Sequence, residues 1–149
     1  MRQWYQRTVI AIVAGSLSLS ACLDRGAAGT VGITTQRELW RANSTRNYSY
    51  VSSHACECAP NFGVALRVTV RNNVVTAIVV ESSGLAVPLN YRPTIEGLFD
   101  FIDTEQRTQA ALLNVTYHPT LGYPTRVKYG TPENDAGGII TVSALTITP

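Results

Sequence analysis

Alternation of apolar and polar positions dominates the chain from Asn47 onward. Between Asn47 and Cys58, Tyr48, Tyr50, Ser52, His54, Cys56 and Cys58 fall on one face, and Ser49, Val51, Ser53, Ala55 and Glu57 on the other. That is the period of a β-strand. Pro60-Asn61-Phe62-Gly63 interrupts it, Val64 to Arg71 alternates again, and Val74 to Glu81 returns as a partner strand. The loop between them, Asn72-Asn73, suits a tight hairpin because asparagine tolerates positive φ. A two-residue loop sets Val70 opposite Val75, Val68 opposite Ala77 and Leu66 opposite Val79, with Arg67, Thr69 and Arg71 on the other side. Val74, Ile78 and Val80 blur this division and imply a partly covered outer face.

Two stretches carry the helical period instead. Thr35-Gln36-Arg37-Glu38 has the capping-box spacing, and Leu39, Trp40 and Ala42 follow it, which predicts a short helix from Gln36 to about Ser44. After a loop around Pro88, Pro93-Thr94 opens a second helix from Ile95 to about Arg107. Its core stripe is Ile95, Leu98, Phe99 and Ile102, which turns Glu96, Asp100, Asp103 and Glu105 toward solvent. Phe101 falls off that stripe and is expected to lie exposed or to meet a partner. Leu112 to His118, Tyr123 to Tyr129 and Ile139 to Ile147 read as further strands. The order α-β-β-β-α-β-β-β is an α+β fold of tandem αβββ units, an antiparallel sheet packed by two helices on one face.

The first residues follow a different logic. A charged Met1–Arg7 precedes an apolar run from Thr8 to Leu19 and the small residues Leu19-Ser20-Ala21-Cys22. These are the marks of an export signal, and the run is too short to span a bilayer comfortably. Leu-Ser-Ala-Cys resembles the lipobox of bacterial lipoproteins. That resemblance implies a signal peptide over residues 1–21, cleavage before Cys22 and acylation of its thiol, with two or three acyl chains giving a stable anchor. Leu23 in place of Asp after the cysteine implies, in a Gram-negative cell, the outer membrane facing the periplasm. The Gly-rich segment from Leu23 to Gly32 suits a flexible tether, so residues 22–33 are read as tether and 34–149 as a single domain, within reach of a chain of 149 residues.

The formal charge of +2 counts Arg2 and Arg7 of the signal segment; without them ten basic residues face ten acidic ones. A neutral domain without a Lys/Arg cluster argues against nucleic acid and against electrostatic docking to anionic lipid.

Cys22, Cys56 and Cys58 are the cysteines of the chain. With Cys22 acylated in an oxidising compartment, counting favours a Cys56–Cys58 disulfide. Next-but-one strand residues lie about 6.6 Å apart, near the upper end of disulfide Cα separations, so closure requires bending or a bulge. Two other outcomes stay open: free thiols packed as small apolar residues, or a metal site of His54, Cys56 and Cys58 with His118 as a fourth ligand, soft donors suited to copper or zinc. That spacing matches no zinc motif, and no cofactor is expected. Asp100, Asp103 and Glu105 fit a solvated helix face better than a cation site. No Gly-x-Ser-x-Gly, His-Glu-x-x-His or phosphate-binding Gly-rich loop occurs, so no catalytic residues are assigned.

Several motifs together resemble DUF6174, a family of uncharacterised bacterial lipoproteins. They are Tyr48-Ser49-Tyr50, Cys56-Glu57-Cys58-Ala59-Pro60, the Asn72-Asn73 hairpin, Thr94-Ile95-Glu96-Gly97-Leu98-Phe99-Asp100 and Gly122-Tyr123-Pro124-Thr125-Arg126, within a resemblance running from Thr35 to Ile147. Members tend to carry an acidic pair before the last strand, where this chain has Asn134-Asp135-Ala136-Gly137. The family implies no activity. The resulting expectation is a membrane-tethered, non-enzymatic binding or structural domain of the cell envelope, with a protein partner or envelope component on one sheet face. Its rivals are a thiol-redox or metal-handling protein centred on His54, Cys56 and Cys58, and, from the αβββ repeat alone, an enzyme inhibitor.

Overall fold

The structure, a computed structural model, describes residues 28–43, 46–56, 63–108, 112–131 and 137–148. Helix α1 spans Ala28–Asn43, strands β1 Tyr48–Cys56, β2 Leu66–Arg71 and β3 Val74–Val80 follow, then helix α2 Ile95–Arg107 and strands β4 Asn114–Tyr117, β5 Pro124–Gly130 and β6 Gly137–Ile147. The strands form a six-stranded sheet in the order β3-β2-β1-β6-β5-β4, and every pairing is antiparallel. The α+β architecture expected from the patterning is therefore present, with two three-stranded meanders joined at its centre by β1 and β6.

Both helices bury their apolar stripes against one sheet face. Ile33 and Trp40 of α1 and Ile95, Leu98, Phe99 and Ile102 of α2 share a core with Tyr48, Tyr50, Leu66, Val68, Val70, Ile78, Val127 and Val142. The stripe read for α2 is the buried one, and Thr94 caps the helix by accepting a hydrogen bond from the Gly97 N–H at 3.0 Å. Helix α1 differs from expectation. It begins at Ala28, so Thr35 lies inside it and cannot act as N-cap, and its first turns occupy positions read as tether. Residues 22–27, like the signal segment and Cys22, lie outside the described residues.

Three bulges adjust the sheet. Thr69 pairs with Ala77 but Val70 with Val75, which leaves Thr76 as an extra residue in β3. Beyond it Ile78 faces Val68 and Val80 faces Leu66, one position away from the register that simple alternation gives. This shift corrects the blurred outer face: Ile78 is buried, Val80 turns to the core side, and Val74 stays 61% exposed. Thr125 plays the same part in β5, where its hydroxyl donates to the Thr116 carbonyl at 3.0 Å. Pro124 is tolerated beside that break because it has no N–H to give to a ladder. In β6 the break falls around Ala144, whose φ is 48°. Asn72 and Asn73, with φ of 50° and 63°, make the two-residue turn with both central residues in the left-handed region.

Candidate functional site

Successive core-side residues of β1 lead from the packed interior to an open cleft. Tyr48 and Tyr50 point into the helix layer: the Tyr48 hydroxyl accepts from the Ile95 N–H at 3.0 Å, and the Tyr50 hydroxyl donates to the Pro93 carbonyl. Burial pushes the Tyr48 phenol up to about 12 and raises that of Tyr50 as well. These tyrosines therefore hold the first turn of α2 and are not available as acids. Arg92, just before that helix, is buried and donates to the Tyr91 carbonyl at 2.7 Å; burial lowers its pKa.

Four residues beyond Tyr50, past the buried Ser52, comes His54. Its Nε2 shares a hydrogen bond of 2.6 Å with the Tyr129 hydroxyl on β5, and the Tyr129 ring packs edge-on against Phe101 of α2 at 4.9 Å. Phe101 is thus half-buried on a strand tyrosine, contrary to the exposure expected of it. Burial first, and the Arg92 charge second, lower the His54 pKa, which favours the neutral imidazole. Burial also raises the Tyr129 phenol, with a further push from Glu105. The pair is a neutral, hydrogen-bonded unit at neutral pH. Gly138 makes room for it, since a Cβ there would lie 3.0 Å from both His54 Nε2 and the Tyr129 hydroxyl.

Cys56 closes the strand and is disulfide-bonded. Its partner falls outside the described residues, as does Cys58. Cys56 lines a cleft of about 370 Å³ with Ala55, Lys128, Tyr129, Thr131, Gly138 and other residues of the same sheet end. The Thr131 hydroxyl in its wall is buried without a hydrogen-bond partner.

Of the proposed metal donors, the structure brings His54 and Cys56 to one end of the sheet. It puts His118 elsewhere. His118 follows β4 at the turn into β5, and its Nδ1 accepts from the backbone N–H of Leu121 at 3.2 Å while its ring stacks on Tyr123 at 4.9 Å. The register places this turn near Pro124, away from the Tyr129 end of β5, so His118 is a turn residue and not a fourth ligand. Among the described residues no group of three His, Cys, Asp or Glu is placed to hold a metal.

The carboxylates of α2 are also better defined than a solvated face. Arg37 of α1 lies within 3.0 Å of both Asp100 and Asp103 and 3.9 Å from Glu96, with its guanidinium 5.1 Å from the Phe99 ring centroid. Arg41 reaches Glu96 at 3.1 Å. The acids clasp one helix to the other. Sequence reading missed this clasp, although the spacing of Glu96, Asp100 and Asp103 along one face of α2 was visible.

The motifs now have structural reasons. Tyr48-Ser49-Tyr50 grips the start of the Thr94–Asp100 segment, and Gly122-Tyr123-Pro124 seats α1: Tyr123 meets Trp40 edge-on, and a Cβ on Gly122 would lie 2.4 Å from the Gln36 carbonyl oxygen. Comparison with known proteins agrees. The chain matches DUF6174, a family of unknown function, over residues 33–147. It belongs to that family. No curated protein and no solved structure matches it. In this DUF6174 domain Tyr48-Ser49-Tyr50 and Gly122-Tyr123-Pro124 serve helix seating and core packing, and among the described residues no helix is long and apolar enough to cross a membrane.

Proposed function

We propose that this DUF6174 chain is a lipid-anchored domain of the cell envelope that works by binding through the uncovered face of its sheet. The observation that carries the reading is that face itself. Both helices pack on the Tyr48 side, and the opposite side presents Ser49, Ser53, Thr141, Ser143 and Arg126 as half-buried or exposed side chains with no described element across them. The anchor rests on the Leu-Ser-Ala-Cys22 sequence, which would place the domain on the outer membrane, facing the periplasm, in a Gram-negative cell. Intact mass spectrometry of the membrane-extracted protein tests it. A chain beginning at an acylated Cys22, two protons short at Cys56 and Cys58, is the expected result; an unmodified Cys22 would overturn the anchor.

A second reading draws on Cys56. Cys56, half-buried and disulfide-bonded, lines a cleft beside the neutral His54–Tyr129 pair, where a thiol reaching the cleft could exchange with it. That reading requires rapid alkylation of Cys56 and Cys58 after mild reduction and a disulfide potential close to that of its compartment. A bridge that resists reduction in the folded protein would exclude it.

A further inference from the structure

The neutral composition of the domain conceals a division of charge between its two faces. The helices carry Glu38, Glu96, Asp100, Asp103 and Glu105 against Arg37, Arg41 and Arg107, a small acidic excess that is largely paired within the helix layer. The strand registers put Arg67 and Arg71 of β2 and Arg126 and Lys128 of β5 on the opposite side of the sheet. Arg71, Arg126 and Lys128 are exposed and make no ion pair among the described residues; Arg67 pairs with Glu81. Strands lie about 4.8 Å apart, so these cations form two rows about 14 Å from one another across β1 and β6. The band between them mixes the hydroxyl side chains of Ser49, Ser53, Thr141 and Ser143 with the apolar Val51, Ala55 and Ile139.

We infer that this face lies on the anionic headgroup surface of the bilayer to which the lipid holds the chain, an inference that rests on the anchored-binding reading above. Two observations favour a lipid surface over an acidic protein. The first is the absence of anchors: the aromatic rings of the described strands, Tyr48, Tyr50, Tyr117 and Tyr129, all pack toward the helices, whereas protein interfaces are centred on buried aromatic residues. The second is dispersion. Separated cations need matching carboxylates on a rigid protein, while mobile phosphate headgroups adapt to any spacing. The lipid then supplies a high local concentration, so a few surface cations suffice for orientation.

Lys128 is the sole lysine of the chain, which makes amine labelling a single-site probe of this face. The mature lipoprotein, with Cys22 acylation verified by intact mass, is reconstituted into phosphatidylcholine vesicles with and without phosphatidylglycerol, and acylation of Lys128 is followed by peptide mass spectrometry. The expected result is labelling slowed several-fold in the anionic vesicles, with the protection lost at about 1 M salt, where screening acts within about 3 Å. The double variant Arg71→Glu, Arg126→Glu, altered at exposed positions, should label equally in both vesicles. Equal labelling of the unaltered protein overturns the inference while leaving the anchor intact. Protection in native envelopes but not in protein-free anionic vesicles overturns it too, in favour of a protein partner. An unacylated Cys22 instead defeats the anchored reading, before any labelling is done.

Discussion

A single methyl group at Gly122 would collide with the backbone of a helix. The residue has a φ of 76°, and a Cβ would lie 2.4 Å from the Gln36 carbonyl oxygen and 3.0 Å from the Trp40 nitrogen. Gly122→Ala therefore combines left-handed strain with a clash that moves α1 off the sheet, and a loss of about 3 kcal/mol is expected in urea unfolding. His54 sets a different kind of dependence. Its pKa is lowered in the folded protein from 6.5, so the unfolded chain binds the extra proton first. Its contribution is complete above pH 6.5 and is lost as pH falls from there through the folded pKa. Unfolding measured from pH 5 to 8 should show stability falling on acidification in that window, and His54→Gln should flatten the curve. At this scale the sequence was partly legible. His54 and Cys56 stood out by type, whereas Tyr129 and Gly138 did not, because what gives them a role is contact across strands and not local spacing.

Elements are held to one another by a few polar clasps laid over the apolar core. Arg37 is the clearest: its side chain is 18% exposed and meets Asp100, Asp103 and Glu96 as well as the Phe99 ring. A partly buried cation in such a network contributes more than an isolated surface pair, and Arg37→Met should cost about 1–2 kcal/mol. A double-mutant cycle with Asp103→Asn separates the ion pair from the packing; a zero coupling energy would mean that Arg37 acts through its aliphatic stem alone. The elements themselves were mostly visible in the patterning. The α2 stripe and its Thr94 cap, the Asn72-Asn73 turn and the buried face of β1 follow from period and turn chemistry. The bulges did not, because one extra residue leaves composition unchanged and merely shifts the phase of the alternation; Ile78 and Val80, which seemed to face outward, carried that phase shift. The true start of α1 was hidden by its small, Gly-containing first turns, where no apolar period announces a helix.

For the whole molecule the decisive fact is that the first strand pairs with the last. β1 and β6 run side by side from Tyr48 opposite Ile147 to Cys56 opposite Gly138, and they are the sole junction between the two meanders in the sheet order. Neither meander closes a core alone. Leu66, Val68 and Val70 come from one, Val127 and Val142 from the other, and both are covered by the same two helices. The family match, which runs from residue 33 to residue 147, spans this closure from α1 to the end of β6. Non-local pairing of this kind makes folding slow, on the millisecond-to-second scale, and places the closing step late. A chain ended at Thr131 tests this directly. It keeps α1, α2 and five strands, yet it loses the partner of both β1 and β5 and exposes two central edges for association. It should show no cooperative unfolding transition and should sediment as aggregate. A monomeric, cooperatively folding product would mean that the meanders are independent units and that β6 merely extends a sheet already formed.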